Sequence, residues 1–356
     1  MSSSDTPSTP AATAPRPAPG DNLGRRLVLV VLLGVAVYGA LVIWRDASSI
    51  AERLRTFVWW TFAGACCLSL ANYALRFAKW EYYLAVLGIR GVPKGESLLV
   101  FLSGFVLTVT PGKVGEVFKS VMLERARGIP VARTAPIIVA ERLTDLLGVV
   151  ALITIGSTSF RGGAGWAIAG MAVVLSILVF ASAERVWRRV VGALPRLPGP
   201  LGRLGGKAAP RIAAALESLR ELVAPRHLVV PTLLSVVGWA LEGCGMWLIL
   251  RGFGEGASLP RAAFCYATAT LAGALVPVPG GLGVTEKMLE ELMLSVAQVP
   301  GPVATAAMIL ERLATLWFAV LVGFIAFGFL GRRLRLRGGF QGHAAGSPPK
   351  TLQDAL

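Results

Sequence analysis

Two similar glycine-rich stretches are the strongest indication of how this chain folds. The first reads PGKVGEVFKS at residues 111–120, and the second reads PVPGGLGVTEKMLEE at residues 277–291. In each, proline ends an apolar segment, and glycines let the backbone turn before another short helix begins. The preceding apolar segments, 98–109 and 262–278, stop short of the ~20 residues that a membrane-spanning helix takes. The two stretches therefore predict broken, re-entrant helical hairpins, whose irregular backbone is buried in protein or lines a cavity.

The composition indicates that lipid surrounds much of the chain. Of its 356 residues, 54% are hydrophobic and only 15% are charged, whereas soluble proteins carry roughly a quarter charged residues. A cytosolic enzyme, a secreted disulfide scaffold and a disordered protein are thereby excluded. Further apolar segments lie at 27–44, 57–75, 135–156, 163–181, 228–250 and 303–330. We expect an all-α polytopic membrane protein with about six full spans plus the two hairpins.

The charged residues predict how the chain is oriented. Lys and Arg total 35 against 20 Asp and Glu, a net charge of +15. The positive-inside rule places the basic segments in the cytoplasm, so both termini are predicted to be cytoplasmic. The excess charge then faces anionic lipid heads, and no nucleic-acid partner is expected. The predicted regions are a disordered N-terminal tail (1–24), a transmembrane domain (25–330) with a basic cytoplasmic loop (184–226), and a basic, flexible C-terminal tail (331–356).

The sequence also matches itself. Ser69 aligns with Ser235, Pro111 with Pro279 and Glu141 with Glu311, at offsets of 166, 168 and 170 residues. The repeat halves cover about 57–156 and 228–330. Under the predicted orientation the first hairpin enters from the cytoplasm and the second from outside. An inverted repeat follows, the architecture of many secondary transporters.

The candidate site consists of the hairpin glycines and the charges inside the apolar segments, because a charge in hydrocarbon is costly unless paired or hydrated. A half-helix that begins at membrane depth aims unpaired N–H groups at an anion, and Lys113 and Lys287 would add full charge. Arg142 and Asp145, three residues apart, can pair on one helix face. Glu141 then needs a partner on another helix, with Lys113 or Arg312 as candidates. The predicted headgroup-binding residues are Gly112, Lys113, Gly115, Glu116, Glu141, Arg142, Asp145, Gly280, Gly283, Glu286, Lys287, Glu311 and Arg312.

Two readings of these residues remain open. The glycine breaks serve either an anion site or close helix packing. The arginines either hold a lipid phosphate through their planar guanidinium groups or form ionic clamps between helices. No cofactor or metal is expected, since the four cysteines lie in apolar segments without CxxC spacing and the only histidines are His227 and His343.

These motifs, with ERLTDLLG at 141–148 and a second ERL at 311–313, resemble the lysylphosphatidylglycerol synthase transmembrane-region family, also called flippase-like domain proteins. The resemblance covers about residues 27–330. It implies an inner-membrane protein related to the part of the multiple peptide resistance factor that translocates aminoacylated phosphatidylglycerol. The synthase proper is a separate soluble domain in full-length members. Only residues 331–356 follow the last predicted span, so we expect no aminoacyl-transferase activity.

We therefore expect a multi-pass protein of the bacterial inner (plasma) membrane that is not an enzyme. Its predicted function is to move an anionic phospholipid or lipid-linked anion between leaflets. One alternative is a membrane scaffold that binds a lipid-synthesis enzyme through the basic loop. The other is an intramembrane enzyme that acts on a lipid phosphate, with Glu141 or Asp145 as general base.

Overall fold

Every regular element in the part of the chain described by the computed structural model is helical. That part comprises residues 47–108, 116–181, 215, 217–276 and 278–344. Within it the expectation of an all-α fold is confirmed. The predicted first span, the tails at 1–24 and 345–356, residues 182–214 of the basic loop and the first hairpin break at 109–115 lie outside the described residues.

The described helices fall into two series, and each series contains a long helix, Trp59–Val86 in the first and Pro225–Gly252 in the second. The first series is α1 (Ala47–Arg55), α2 (Trp59–Val86), α3 (Lys94–Ser103), α4 (Phe118–Arg127), α5 (Val131–Ser157) and α6 (Ala164–Ala181). The second is α7 (Pro225–Gly252), α8 (Leu259–Leu275), α9 (Val284–Ser295), α10 (Gly301–Arg312), a π-helical turn (Leu313–Trp317) and α11 (Phe318–Ala344). The order in α2 to α5, a long helix, two short helices and another long helix, recurs from α7 onward.

Both predicted hairpins have their two helical arms packed together, α3 with α4 and α8 with α9. In the second hairpin the break follows α8, and a 3₁₀ turn at Pro279–Gly281 precedes α9. Gly280, Gly281 and Gly283 have φ angles of 61°, 67° and 85°. Glycine adopts this left-handed backbone without the steric cost that a Cβ would add, which explains the Gly-Gly-Leu-Gly sequence.

The equivalent long helices α2 and α7 pack against each other in antiparallel directions. Gly252, at the end of α7, lies against Phe57 and Thr61, at the beginning of α2. At the opposite ends, the Tyr82 hydroxyl lies 3.3 Å from Nδ1 of His227. Between these points the two backbones come close because α7 has glycine where it meets α2.

Two described helices are long and apolar enough to cross a membrane, Pro225–Gly252 and Gly301–Arg333. The count of six full spans stays a prediction. Two predicted ends differ from the structure. Helix α2 continues past residue 75 to Val86, and two charged side chains beyond that point, Arg76 and Lys79, have buried carboxylate partners. Helix α11 continues past residue 330 to Ala344, so the first part of the predicted flexible tail is helical. Residues 332–337 read RRLRLR, and Arg and Leu are strong helix formers.

Candidate functional site

A cavity of about 120 Å³, lined by several charged side chains, lies where the two helical series meet. Its lining includes side chains from α2, α5, α7 and α8, the backbone of the second hairpin break, and Arg312 at the end of α10. A neighbouring cavity of about 300 Å³ is lined by Arg142 and by apolar residues of α5 and α8. Asp145, Trp239 and Gly280 line both cavities, which therefore form one continuous region.

Lys79 and Asp145 form the buried centre of this region. Lys79 Nζ lies 2.5 Å from Asp145 Oδ1 and donates to Ser235 Oγ at 2.8 Å. The Ser235 hydroxyl in turn donates to Asp145 Oδ1 at 3.0 Å. The three residues belong to α2, α5 and α7, so one charged cluster joins helices from both halves of the chain. Such a buried pair requires every polar atom to be well placed, because its desolvation is costly.

Arg142 is a cation with unused hydrogen-bonding capacity in the described part of the site. Its Nη2 lies 2.9 Å from Asp145 Oδ2, which confirms the predicted pair, and 3.3 Å from Glu116 Oε2. Neither contact has hydrogen-bond geometry, so the buried Nε and Nη2 atoms have no acceptor among the described residues. The side chain as a whole is 29% exposed and lines the larger cavity. The charge of Arg142 is thus balanced by Asp145 and Glu116, while its Nε and Nη2 donors lack, in the described part of the chain, an acceptor that a ligand could supply.

Arg312 holds the second hairpin break in place. Its Nε donates to Glu286 Oε1 at 2.7 Å, and its Nη2 donates to the Gly280 carbonyl at 2.8 Å. The other Glu286 oxygen accepts the Gly283 N–H at 2.6 Å, capping the first turn of α9. The clamp interpretation therefore describes Arg312 well. Arg142 and Glu116, with a contact of 3.3 Å, form the corresponding and looser pair in the first half.

Glu242 adds a second carboxylate to the lining of the smaller cavity. Its oxygens accept hydrogen bonds from the Asn72 amide at 2.6 Å and the Ser69 hydroxyl at 3.3 Å. Asn72, Arg76 and Lys79 follow one another at helical spacing on α2, and all three line the cavity. That spacing was visible in the sequence, but the predicted span ended at residue 75 and left Lys79 in a loop.

The two equivalent glutamates, Glu141 and Glu311, lie outside the cavity lining. Glu141 pairs with Lys119, whose Nζ lies 2.6 Å from Oε2. The expectation that Lys113 or Arg312 would be the partner was wrong for Arg312, which binds Glu286, while Lys113 lies outside the described residues. Glu311 is fully buried, and neither carboxyl oxygen has a hydrogen-bond partner among the described residues.

The structure thus brings together some of the predicted site residues and separates others. Arg142, Asp145, Gly280 and Arg312 line the cavities, and Glu116 and Glu286 contact the two arginines. Lys287 is exposed and contributes no described contact to the site. Gly112, Lys113 and Gly115 lie outside the described residues. Sequence reasoning missed four polar residues that the helices bring to the site or beside it: Asn72, Lys79, Lys119 and Ser235.

Comparisons with known proteins agree with the sequence motifs. A family model described as the transmembrane region of lysylphosphatidylglycerol synthase matches residues 31–323. A UPF0104 membrane protein of Methanothermobacter thermautotrophicus is 23% identical over 310 residues, covering 82% of this chain and 90% of the relative. A UPF0104 membrane protein of Methanocaldococcus jannaschii is 22% identical over 273 residues, covering 72% of this chain and 81% of the relative. The chain is a membrane protein and belongs to the lysylphosphatidylglycerol synthase transmembrane-region family.

Proposed function

We propose that this protein moves an anionic phospholipid, or another lipid-linked anion, between the two leaflets of the membrane, and that it is not an enzyme. The observation that carries the proposal is Arg142. Its guanidinium lines a cavity inside the helical assembly while its Nε and Nη2 atoms have no acceptor among the described residues. A phosphate oxygen is the ligand that this planar group binds best, since two parallel N–H donors match two oxygens.

A second arginine at the matching position supports passage from one site to another. Arg142 and Arg312 are 170 residues apart, and each lies beside a hairpin glutamate. We propose that Arg142 binds the headgroup at one end of its path. At the other end, Arg312 binds it when the ion pair between Arg312 and Glu286 breaks. The acyl chains would remain in the bilayer throughout.

An inverted repeat is part of this proposal. Equivalent helices related by a two-fold axis in the membrane plane must run antiparallel, as α2 and α7 do. In such folds, the two halves rock against each other around a site at their interface. The Lys79–Asp145–Ser235 cluster spans that interface, so its contacts must change or rotate as a unit during the movement.

The proposed setting is the plasma membrane of a bacterial cell, with both termini in the cytoplasm and anionic lipids as partners.

The alternative of an intramembrane enzyme has less support. Glu141 is neutralised by Lys119 away from the cavity, and Asp145 already accepts from Lys79 and Ser235. The scaffold alternative depends on the basic loop, most of which lies outside the described residues.

Leaflet exchange in proteoliposomes tests the proposed function. Fluorescent phosphatidylglycerol in the inner leaflet is followed by the loss of its protection from external dithionite. We expect wild-type protein to accelerate exchange, and Arg142→Gln to reduce the rate by about tenfold or more, because a hydrogen bond to a charged group contributes about 1.5–3 kcal/mol.

Arg127→Gln is the matched control. Arg127 forms a bidentate ion pair with Glu96, in which both contacts are 2.8 Å. It does not line either cavity. Its rate of exchange should stay close to that of wild type. Failure of the folded wild-type protein to exchange any of a set of anionic lipids, or an equal loss in both variants, would contradict the proposal.

A further inference from the structure

Glu311 is a buried acid whose state the proposed lipid pathway does not explain. It lies in α10, its relative exposure is 0%, and no ion pair or hydrogen bond reaches its carboxyl group within the described residues. An ionised carboxylate in that position would have neither water nor a partner, which folded proteins avoid. Neutralisation by a bound proton removes this conflict.

The equivalent glutamate of the first half shows what Glu311 lacks. Glu141 is neutralised by Lys119, which is itself buried and lies over the rings of Trp80 and Phe101 at 5.1 Å. An offset of 170 residues relates Glu141 to Glu311, and it also relates Glu116 to Glu286, the glutamates that contact Arg142 and Arg312. On these short helices beyond the proline and glycine break, the same offset places Leu289 at the position of Lys119. Leu289 is also fully buried. The second half therefore keeps the acid and replaces its cation with an apolar side chain.

Among the residues that the structure describes, the surroundings of Glu311 offer no substitute for that lysine. The titratable groups close enough to interact with it are Glu242 of α7, Tyr266 of α8, Cys66 of α2 and the neighbouring Arg312. Arg312 is committed to Glu286 and the Gly280 carbonyl. Glu242 adds a second acid, and two nearby carboxyl groups in an apolar environment do not both ionise freely.

We propose that Glu311 is a proton-binding site, coupled to Glu242, and that proton uptake and release there drive the movement of lipid. A proton from the cavity reaches Glu242, which lines it, and passes to Glu311, converting its carboxylate to the neutral acid. Release reverses this conversion and leaves a negative charge beside Arg312. That charge competes with Glu286 for the guanidinium, and so loosens the hold of Arg312 on the second hairpin. Proton binding stands on the geometry alone, whereas the coupling to lipid rests on the proposed function.

Infrared difference spectroscopy on the purified full-length protein tests proton binding without any transport assay. At neutral pH we expect wild-type protein to show the C=O band of a protonated carboxylic acid, shifted when H₂O is exchanged for D₂O. Glu311→Gln should lose this band. Glu141→Gln is the matched control and should keep it, because Glu141 has Lys119 as an ion-pair partner at 2.6 Å. A wild-type spectrum without the band, or a band that survives Glu311→Gln, would overturn the proposal.

Leaflet exchange under a pH gradient tests the coupling. If one proton accompanies each lipid, a gradient of about one unit shifts the distribution of lipid between leaflets by up to about tenfold. We expect the wild-type protein to respond and Glu311→Gln to lose the response, with the readout being the ratio of distributions with and without the gradient. A second variant, Glu242→Gln, should weaken the response.

The outcomes separate this inference from the proposed function. Wild-type exchange that does not respond to the pH gradient, or that responds to a sodium gradient instead, would overturn the coupling. The proposed lipid pathway would be unaffected by that result. Absence of all exchange would overturn the proposed function and the coupling together, while the infrared band would still decide whether Glu311 binds a proton.

Discussion

The part that each buried charged residue plays in this protein depends on the partner it has. Lys119 and Glu141, each with a side chain 2% exposed, form an ion pair 2.6 Å apart away from the cavity. Glu311 aligns with Glu141 in the sequence and has no ion-pair partner among the described residues. The two glutamates therefore make an internal comparison between a paired and an unpaired buried acid in one molecule.

The first prediction concerns the stability of that pair. Lys119→Met leaves Glu141 buried and uncompensated, so we expect a loss of about 3–5 kcal/mol in the free energy of unfolding. The double variant Lys119→Met with Glu141→Gln should recover most of it, because no charge then lacks a partner. Denaturant titration in detergent micelles measures both. If the double variant is as unstable as the single one, the lysine acts by packing between Trp80 and Phe101 and not by its charge.

At this scale the sequence predicts contacts within one helix better than contacts between helices. The spacing of Arg142 and Asp145 is enough to predict their pair, because helix geometry brings residues three apart together. The partner of Glu141 depends on how α4 packs against α5, and no spacing within one helix contains that information. The cavity-facing position of Lys79 could have been inferred from its spacing to Asn72 and Arg76, had the helix been extended past residue 75.

Among the elements, α5 and α7 approach each other closely at Gly148. A Cβ added there would lie 2.9 Å from the carbonyl carbon of Ser235, a backbone atom that cannot turn aside. Ser235 also donates to Asp145 and accepts from Lys79. The packing of these two helices thus fixes the hydrogen bonds at the centre of the site.

The second prediction compares two glycines in helices. Gly148→Ala should destabilise the protein by about 1–3 kcal/mol, because overpacking forces the helices apart. Gly328→Ala, in α11, is the matched control, since a Cβ there meets nothing within 4 Å. It should be neutral or stabilising by up to ~1 kcal/mol, as alanine favours helix over glycine. Thermal unfolding in detergent measures both, and equal effects would show that close approach is not the cause.

The helical elements themselves were largely predictable from the sequence. Proline and glycine mark the second hairpin break, and the structure interrupts the helix there. The end of α2 was not predictable by hydropathy, because Arg76 and Lys79 resemble the beginning of a cytoplasmic loop until their carboxylate partners on other elements are known. Hydropathy indicates whether a segment as a whole lies in lipid or in water. A helix, by contrast, ends where its backbone hydrogen bonds end.

For the whole molecule, the antiparallel packing of α2 and α7 constrains the topology. The Tyr82–His227 contact places the end of α2 beside the beginning of α7, and the Gly252–Phe57 contact joins their other ends. Each pair of ends must therefore lie on one side of the membrane. The distribution of basic residues predicts which side this is: the ends at Tyr82 and His227 should be cytoplasmic.

The third prediction tests both statements by cysteine labelling. In a background in which Cys66, Cys67, Cys244 and Cys265 are replaced, single cysteines are introduced at four exposed positions, Thr56, Arg90, Arg226 and Ser258. A membrane-impermeant maleimide applied to intact cells should label Thr56→Cys and Ser258→Cys. The Arg90→Cys and Arg226→Cys variants should react only after the membrane is opened.

The pattern of labelling separates the structural statement from the charge rule. If Arg90→Cys and Arg226→Cys react together but from outside, the antiparallel arrangement stands and the orientation is reversed, so that lipid would meet the hairpins from the opposite leaflets. If the two positions react from opposite sides, the packing of α2 against α7 cannot hold in the membrane. The inverted repeat would then fail too, because a two-fold axis in the membrane plane requires those equivalent helices to be antiparallel.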